Sequence, residues 1–208
     1  PMMSEHENNI SLNEELFARI KAVYEQQDKE TLSPEQHKLL EDIYNGFVRN
    51  GANLLGEDKE KYRALCKELS LLTLQFSENN LKETNDYKLV ITDKSQLAGL
   101  PESAVEAAAE TAGEKGVEGW VFTLQAPSYG PFLTYADSRD LRRELYMAYN
   151  TKCTHDNASN NLEIVKKLAN VRMEIAQLLG YDNFAEYNLQ ERMAQNSESV
   201  YKLLDQLL

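Results

Sequence analysis

The residues that could do chemistry in this chain are few, and none stands in a spacing that would suffice alone. His6-Glu7 begins like the zinc-binding His-Glu-x-x-His helix, but Ile10 stands where the second imidazole is required. His37 stands alone in the first turns of a predicted helix. Ser128 lies in turn-forming sequence and lacks the glycine-flanked elbow of hydrolases. The residues therefore predict no catalytic side chain and no metal ligand.

One short segment brings three possible metal ligands together. Cys153, His155 and Asp156 lie within four consecutive residues of a predicted loop. The alternative interpretation is a polar loop beside a buried thiol. An independent metalloenzyme built on Cys153 and His155 would require stoichiometric zinc in the purified protein. The other cysteine, Cys66, lies in a helical apolar pattern, and two distant cysteines favour a reducing compartment, so we expect the cytoplasm.

Composition and charge narrow the class of partner. The 208 residues are 42% hydrophobic and 27% charged, which is ordinary for a globular protein. Lys and Arg number 22 against 34 Asp and Glu, giving a net charge of −12 that would repel a phosphate backbone. No apolar run approaches the roughly 18 residues that span a bilayer. We therefore expect neither a nucleic acid nor a membrane as partner.

The hydrophobic periodicity predicts a mainly α fold, a helical bundle-like array with a small two- or three-stranded β element inserted at about 86–135. Asp86–Thr92 and Trp120–Gln125 are short and rich in β-branched or aromatic residues, as strands are. Phe132–Tyr135 is a third candidate strand. An alanine-rich helix, Pro101–Lys115, lies between the first two.

Start signals place several of the helices. Ser11 to Glu14 resembles a capping box, and Ser33 to Gln36 is a stronger one because Pro34 occupies a position that needs no amide donor. A long helix is predicted from about Asp58 into the low 80s. Apolar residues lie off its main stripe, so we expect it to be buried on more than one side. Further helices are predicted from Ser138, from about Ala158 to Gly180, over Asp182–Leu189 and over Ser197–Leu208.

The segment between the second and third candidate strands contains two prolines and an aromatic residue. Gln125–Pro131 is predicted to be a stiff, exposed loop of a kind that suits peptide contact or only a rigid connection. Tyrosine has an apolar body and a hydrogen-bonding tip. Tyr129 and Tyr135 are accordingly the candidate substrate contacts.

Both ends of the sequence predict incompleteness. Pro1 precedes two methionines, and no capping residue follows the last predicted helix. Five apolar residues form one stripe on that helix: Val200, Leu203, Leu204, Leu207 and Leu208. We therefore expect residues 1–208 to be a single compact helical segment of a larger protein, truncated at both ends. On this interpretation Leu203 and Leu207 belong to a stripe that has lost its partner.

Several segments closely resemble bacterial peptidyl-dipeptidases, which belong with the thimet oligopeptidase and oligopeptidase A family. The resemblance extends over essentially the whole chain. Lys152 stands where that family would be expected to carry arginine. The segments that carry the resemblance are Leu16–Lys21, Phe76–Asn79, Gly119–Gln125, Pro127–Tyr129, Thr134–Asp137 with Arg139, Leu141 and Arg142, Tyr146–Tyr149, Arg172–Gly180 and Met193–Ala194.

The resemblance implies a mostly helical zinc peptidase that takes short peptides into a deep channel. In that family a His-Glu-x-x-His helix and a downstream Glu hold one zinc, which activates a water molecule. Those residues would lie beyond Leu208, so no catalytic or metal-binding position transfers to this chain. The resemblance therefore implies a non-catalytic channel wall, with zinc in the full-length parent only. Its partners would be short peptides and the missing C-terminal catalytic portion.

Two other interpretations stay open. The parent could be an endopeptidase like oligopeptidase A, because channel helices say little about which end of a peptide is cleaved. The chain could also be a stand-alone helical binding module with no catalytic parent. A His-Glu-x-x-His helix encoded downstream would favour the enzyme, and a natural stop codon near Leu208 would favour the module.

Overall fold

In the computed structural model the described residues are 2–27 and 32–208. Pro1, used above to predict truncation, lies outside them. The fold is mainly helical, as the sequence predicts, with one small sheet. The helices are α1 (Met2–Ser11), α2 (Glu14–Tyr24), α3 (Pro34–Arg49), α4 (Gly56–Asp86), α5 (Glu102–Glu114), α6 (Ala126–Tyr135), α7 (Arg139–Asn150), α8 (Leu162–Leu178), α9 (Phe184–Leu189) and α10 (Ser197–Asp205). The strands are β1 (Leu89–Ile91) and β2 (Trp120–Phe122), and a short 3-10 helix covers Lys94–Leu97.

Local caps begin and end several of these helices. The predicted capping box at Ser33 is confirmed, because its hydroxyl accepts from the Gln36 amide while the Gln36 side chain accepts from the Ser33 amide. The box predicted at Ser11 is wrong. Asn13 caps α2 instead, accepting from the Leu16 amide at 2.9 Å, because Ser11 is the last residue of α1 and α2 begins only at Glu14.

The contacts divide the chain into two compact units, whereas the sequence predicts one compact segment. The first unit contains residues up to Thr73 together with Lys166–Leu208, and the second is Leu74–Val165. The divisions therefore fall inside α4 and α8. Membership of both units in one segment of a larger metallopeptidase stays a prediction.

Aromatic stacking joins α2 and α3 in the first unit. The Phe17 ring lies 5.8 Å from the Tyr44 ring and 6.1 Å from the Phe47 ring. Tyr24 stacks on Tyr44 at 3.9 Å. Such pairs contribute beyond the area they bury, so they stabilise the packing of α2 on α3.

The second unit contains the sheet and its own core. β1 and β2 pair antiparallel, with Val90 opposite Val121. Gly119 precedes β2 with φ at +99°, and a β-carbon there would lie 2.3 Å from the Ile91 carbonyl oxygen, so glycine is required. The core comprises Leu89, Ile91, Leu97, Ala108, Phe122, Leu124, Phe132, Ala136 and Leu145.

Two predictions about residues 125–135 are wrong. Phe132–Tyr135 is not a third strand, and Gln125–Pro131 is not a loop, because α6 spans Ala126–Tyr135. Four residues at helical spacing face the core: Tyr129, Phe132, Leu133 and Ala136. Burial of that face, with Phe132 fully inaccessible, outweighs the two prolines, one of which lies in the first turn where no amide donor is needed.

The long helix α4 is confirmed, but its predicted burial on several sides is wrong. Leu71 and Leu74 are 46% and 45% exposed. Its buried residues are Lys59, Tyr62, Leu65 and Leu72. These are spaced at 3, 3 and 7 residues, so one stripe alone is covered.

Candidate functional site

The two tyrosines predicted as substrate contacts lie on α6 in different surroundings. Tyr129 is half-buried, and its ring stacks on that of Tyr149 in α7 with centroids 4.3 Å apart. Burial and the neighbouring Tyr149 raise the pKa of the Tyr129 hydroxyl. Tyr135 is 53% exposed and makes no ring stack with any described residue. The structure therefore does not bring the two together as one site.

A lysine connects the tyrosine pair to the end of α4. The Lys152 ammonium nitrogen lies 4.2 Å from the centre of the Tyr149 ring, a cation–π distance. It also donates a hydrogen bond of 3.0 Å to the Thr84 hydroxyl. Lys152 thereby joins the C-terminal ends of α4 and α7.

Lys152 also lines a cavity of about 570 Å³ in the second unit. Its walls are the end of α4, the end of α7 and the loop that follows α7. Leu124, Met147 and Ala148 give it apolar surface, and the main charged groups are Lys82, Glu83, Asp86, Lys152 and His155. A volume of this size suits a small organic ligand.

Glu83 holds the loop between α7 and α8. Its carboxylate accepts from the Cys153 amide and, at 2.8 Å, from the Asn157 side chain. Burial pushes the pKa of Glu83 upward, but these hydrogen bonds and the nearby His155 and Lys82 outweigh it, so the net pKa is lowered. Both oxygens of the carboxylate therefore accept hydrogen bonds from this loop.

A second anchor fixes the end of the same loop. Asn79 donates to the Asn161 side-chain oxygen at 2.8 Å, and Asn161 donates to the Phe76 carbonyl at 3.1 Å. Glu83 and Asn79 lie one turn apart on α4. Sequence reasoning missed both anchors, since no local pattern marks a contact across more than 70 residues.

The loop segment singled out for metal binding has the geometry of a docked polar loop. Cys153 is buried, takes a left-handed backbone at φ +58° and turns its amide to Glu83. Burial and the Glu83 charge raise the pKa of its thiol. Within residues 2–27 and 32–208 no three His, Cys, Asp or Glu side chains gather where they could hold a metal ion. The described residues thus offer no ligand set that fits the zinc implied by the resemblance.

Arg49 is the other polar centre that sequence reasoning missed. In the first unit its guanidinium donates to the Gln190 side chain at 2.6 Å and the Tyr187 carbonyl at 2.7 Å, and it pairs with Glu191 at 2.9 Å. The group also lies 4.4 Å above the Tyr187 ring. These contacts fix the end of α3 against the segment that contains α9.

The apolar stripe of the last helix is exposed, and its cover by a partner stays a prediction. Leu203 and Leu207 are 58% and 75% exposed, although α10 ends at Asp205. Over the parts of the chain that are described, no helix has both the length and the apolar character needed to cross a membrane.

Comparison with known proteins tests the resemblance. Residues 132–208 match Peptidase family M3. The chain is 34% identical over 211 residues to oligopeptidase A of Haemophilus influenzae, covering 100% of this chain and 31% of that protein. It is 33% identical over 207 residues to dipeptidyl carboxypeptidase of Escherichia coli, covering 99% of this chain and 30% of that protein. A probable cytosolic oligopeptidase A of Arabidopsis thaliana is 35% identical over 199 residues, covering 92% and 28%.

The chain spans about a third of the length of these relatives. Their names pair an oligopeptidase with a carboxypeptidase, as the family resemblance predicts. Residues 132–208 thus match peptidase family M3, and the chain as a whole is similar to oligopeptidase A and dipeptidyl carboxypeptidase, aligning with less than a third of each.

Proposed function

We propose that this chain is the non-catalytic, helical channel wall of a zinc-dependent peptidyl-dipeptidase, which releases C-terminal dipeptides from short peptides. The observation that carries the proposal is similarity over the entire chain to two kinds of family M3 peptidase. The helical fold agrees with the architecture that the resemblance implies. Zinc and the catalytic residues belong to the remainder of the parent protein.

An oligopeptidase A-like endopeptidase is the second candidate parent. Its support is the 34% identity to oligopeptidase A, which nearly equals the 33% identity to dipeptidyl carboxypeptidase. The proposal of dipeptide release therefore rests on the segments quoted for the resemblance, from Gly119 to Arg142.

The surface of the chain supports a role beside other protein. Leu203 and Leu207 are exposed at the end of the chain and would pack against the catalytic portion of the parent. Tyr129 and Tyr135 would contact peptide in the channel, Tyr135 by its exposed ring. The two free cysteines fit the reducing cytoplasm as the compartment.

A segment exchange tests the proposal. In Escherichia coli dipeptidyl carboxypeptidase, the 30% of the protein that aligns with this chain is replaced by residues 1–208. The expected chimera folds and releases dipeptides from the C-terminus of short peptides, as followed by mass spectrometry. A chimera that is folded, contains stoichiometric zinc and yet releases no peptide would contradict the channel-wall role.

The matched control decides between the two candidate parents. The same exchange is made in oligopeptidase A of Escherichia coli, to which the chain is 33% identical. If the inserted segment shapes specificity as a peptidyl-dipeptidase wall, this chimera loses internal cleavage relative to its parent. Unchanged internal cleavage there, with impaired dipeptide release in the first chimera, would favour the oligopeptidase A-like alternative.

A further inference from the structure

The cavity beside Lys152 combines an ammonium group with accessible apolar surface. That surface comes from Met147, which is 45% exposed, and from Ala148 of α7. At about 570 Å³ it exceeds the needs of a single ion and can take two or three amino-acid residues.

The acidic groups that line this cavity already have partners. The Glu83 carboxylate accepts from the Cys153 amide and the Asn157 side chain. Asp86 pairs with Lys82 at 3.7 Å, one turn away on α4. Neither carboxylate therefore gives the cavity a strong preference for a cation.

Lys152 is the charged group of this cavity with N–H donors that no described protein group accepts from. An ammonium group has three N–H donors, and the Thr84 hydroxyl takes one of them. The Tyr149 ring covers one side of the nitrogen at 4.2 Å. No carboxylate in the described parts of the chain forms an ion pair with Lys152. A half-buried cation with donors to spare favours a carboxylate ligand more strongly than a fully solvated one does.

We propose that this cavity binds the carboxylate end of a short peptide, with Lys152 pairing to the carboxylate and Met147 packing on the terminal side chain. The inference that the ligand is a peptide rests on the proposed function. The inference that its bound group is a carboxylate rests on the residues of the cavity. Thr84 and the Tyr149 ring are positioning groups, because they hold the ammonium at the wall. A free aliphatic acid carries the same carboxylate group. Comparing its affinity with that of the peptide acid distinguishes the two ligands.

The test is a binding titration of the whole 208-residue chain, followed by calorimetry at low salt. Three probes are compared: acetyl-Ala-Leu, its C-terminal amide, and 4-methylpentanoate. We expect the peptide acid to bind about tenfold more tightly than the amide, the ratio given by one charge-assisted hydrogen bond. Lys152→Gln should lower the affinity for the peptide acid until the acid-to-amide ratio is about one. The affinity for the amide should stay unchanged. Lys152→Arg should keep the wild-type ratio, since the charge is retained.

Lys82→Gln is the matched control. It removes the same charge from the same cavity lining, but the Lys82 side chain is 64% exposed and already pairs with Asp86. The acid-to-amide ratio should therefore stay within about twofold of wild type.

Three results overturn the proposal. Equal affinity for acid and amide, including no binding of either at millimolar concentration, excludes a carboxylate site. Equal losses in Lys82→Gln and Lys152→Gln show only a general field effect. Binding of 4-methylpentanoate as tight as that of the peptide acid assigns the cavity to a free acid. Because the titration needs no hydrolysis, an inactive segment-exchange chimera would leave its outcome unaffected.

Discussion

At the scale of single residues, Tyr87 has a buried hydroxyl without a hydrogen-bond partner among the described residues. Leaving a buried polar group unpaired costs about 1–3 kcal/mol. Tyr87→Phe should therefore leave the free energy of unfolding unchanged or raise it by up to about 1 kcal/mol, as measured by urea denaturation.

Tyr62, a buried tyrosine within α4, offers a control. Burial, together with the neighbouring Cys66 thiol, raises the pKa of the Tyr62 hydroxyl, so that hydroxyl has a polar neighbour. Tyr62→Phe should lower the free energy of unfolding by about 0.5–1.5 kcal/mol. If Tyr87→Phe costs as much as Tyr62→Phe, the Tyr87 hydroxyl has a partner after all.

Glu83 should make the stability of the α7–α8 loop depend on pH. Its folded pKa is lowered, so its stabilising contribution is present above the unfolded pKa and is lost as pH falls through the folded pKa. Glu83→Gln breaks one of the two hydrogen bonds and should cost about 1–3 kcal/mol at pH 7. The difference from wild type should shrink between pH 5 and pH 3, as urea titrations at several pH values would show.

Glu110 provides the comparison for that experiment, since it lies exposed on α5. Glu110→Gln should cost less than about 0.5 kcal/mol at any pH. A cost of Glu83→Gln that stays constant from pH 7 to pH 3 would show that the carboxylate charge does not hold the loop.

At the scale of elements, Arg49 fastens α3 to the segment containing α9. Its planar group makes three directed contacts that an ammonium cannot reproduce. Arg49→Lys should lower the free energy of unfolding by about 1.5–3 kcal/mol. Lys38→Ala serves as control: it breaks ion pairs to Glu41 and Asp42, but its side chain is 66% exposed, so the cost should stay below about 1 kcal/mol. Equal losses of unfolding free energy in Arg49→Lys and Lys38→Ala would contradict this role of Arg49.

Sequence patterns predict elements well where the signal is local. The Ser33 capping box, the helix start at Ser138 and the first two strand candidates are confirmed, because each depends on residues within one turn or one strand. The prediction for residues 125–135 is wrong because it relied on the two prolines and not on the spacing of the apolar residues. Four residues at helical spacing mark the buried face of α6: Tyr129, Phe132, Leu133 and Ala136. The contacts that anchor the α7–α8 loop could not be predicted from the sequence, for a different reason. Glu83 and Asn157 are 74 residues apart, so only the fold places them together.

At the scale of the whole molecule, the α10 stripe should distinguish the chain alone from the chain in its parent. Leu203 and Leu207 are largely exposed here, so changing both to Glu should alter the unfolding free energy of the chain by less than about 0.5 kcal/mol each. In the dipeptidyl carboxypeptidase chimera the same pair should abolish soluble yield or activity, because buried charges replace leucines. Equal tolerance in both settings would show that nothing covers the stripe.

The proposed channel-wall role places the peptidase site in the remainder of the parent protein, so these 208 residues should hydrolyse no peptide on their own. The most direct measurement is incubation of the purified chain with short peptides and added zinc, followed by mass spectrometry. The account predicts no product above the buffer control, because the described residues gather no set of three metal ligands. Release of dipeptides that stops on addition of a chelator, from a preparation free of other peptidases, would contradict it.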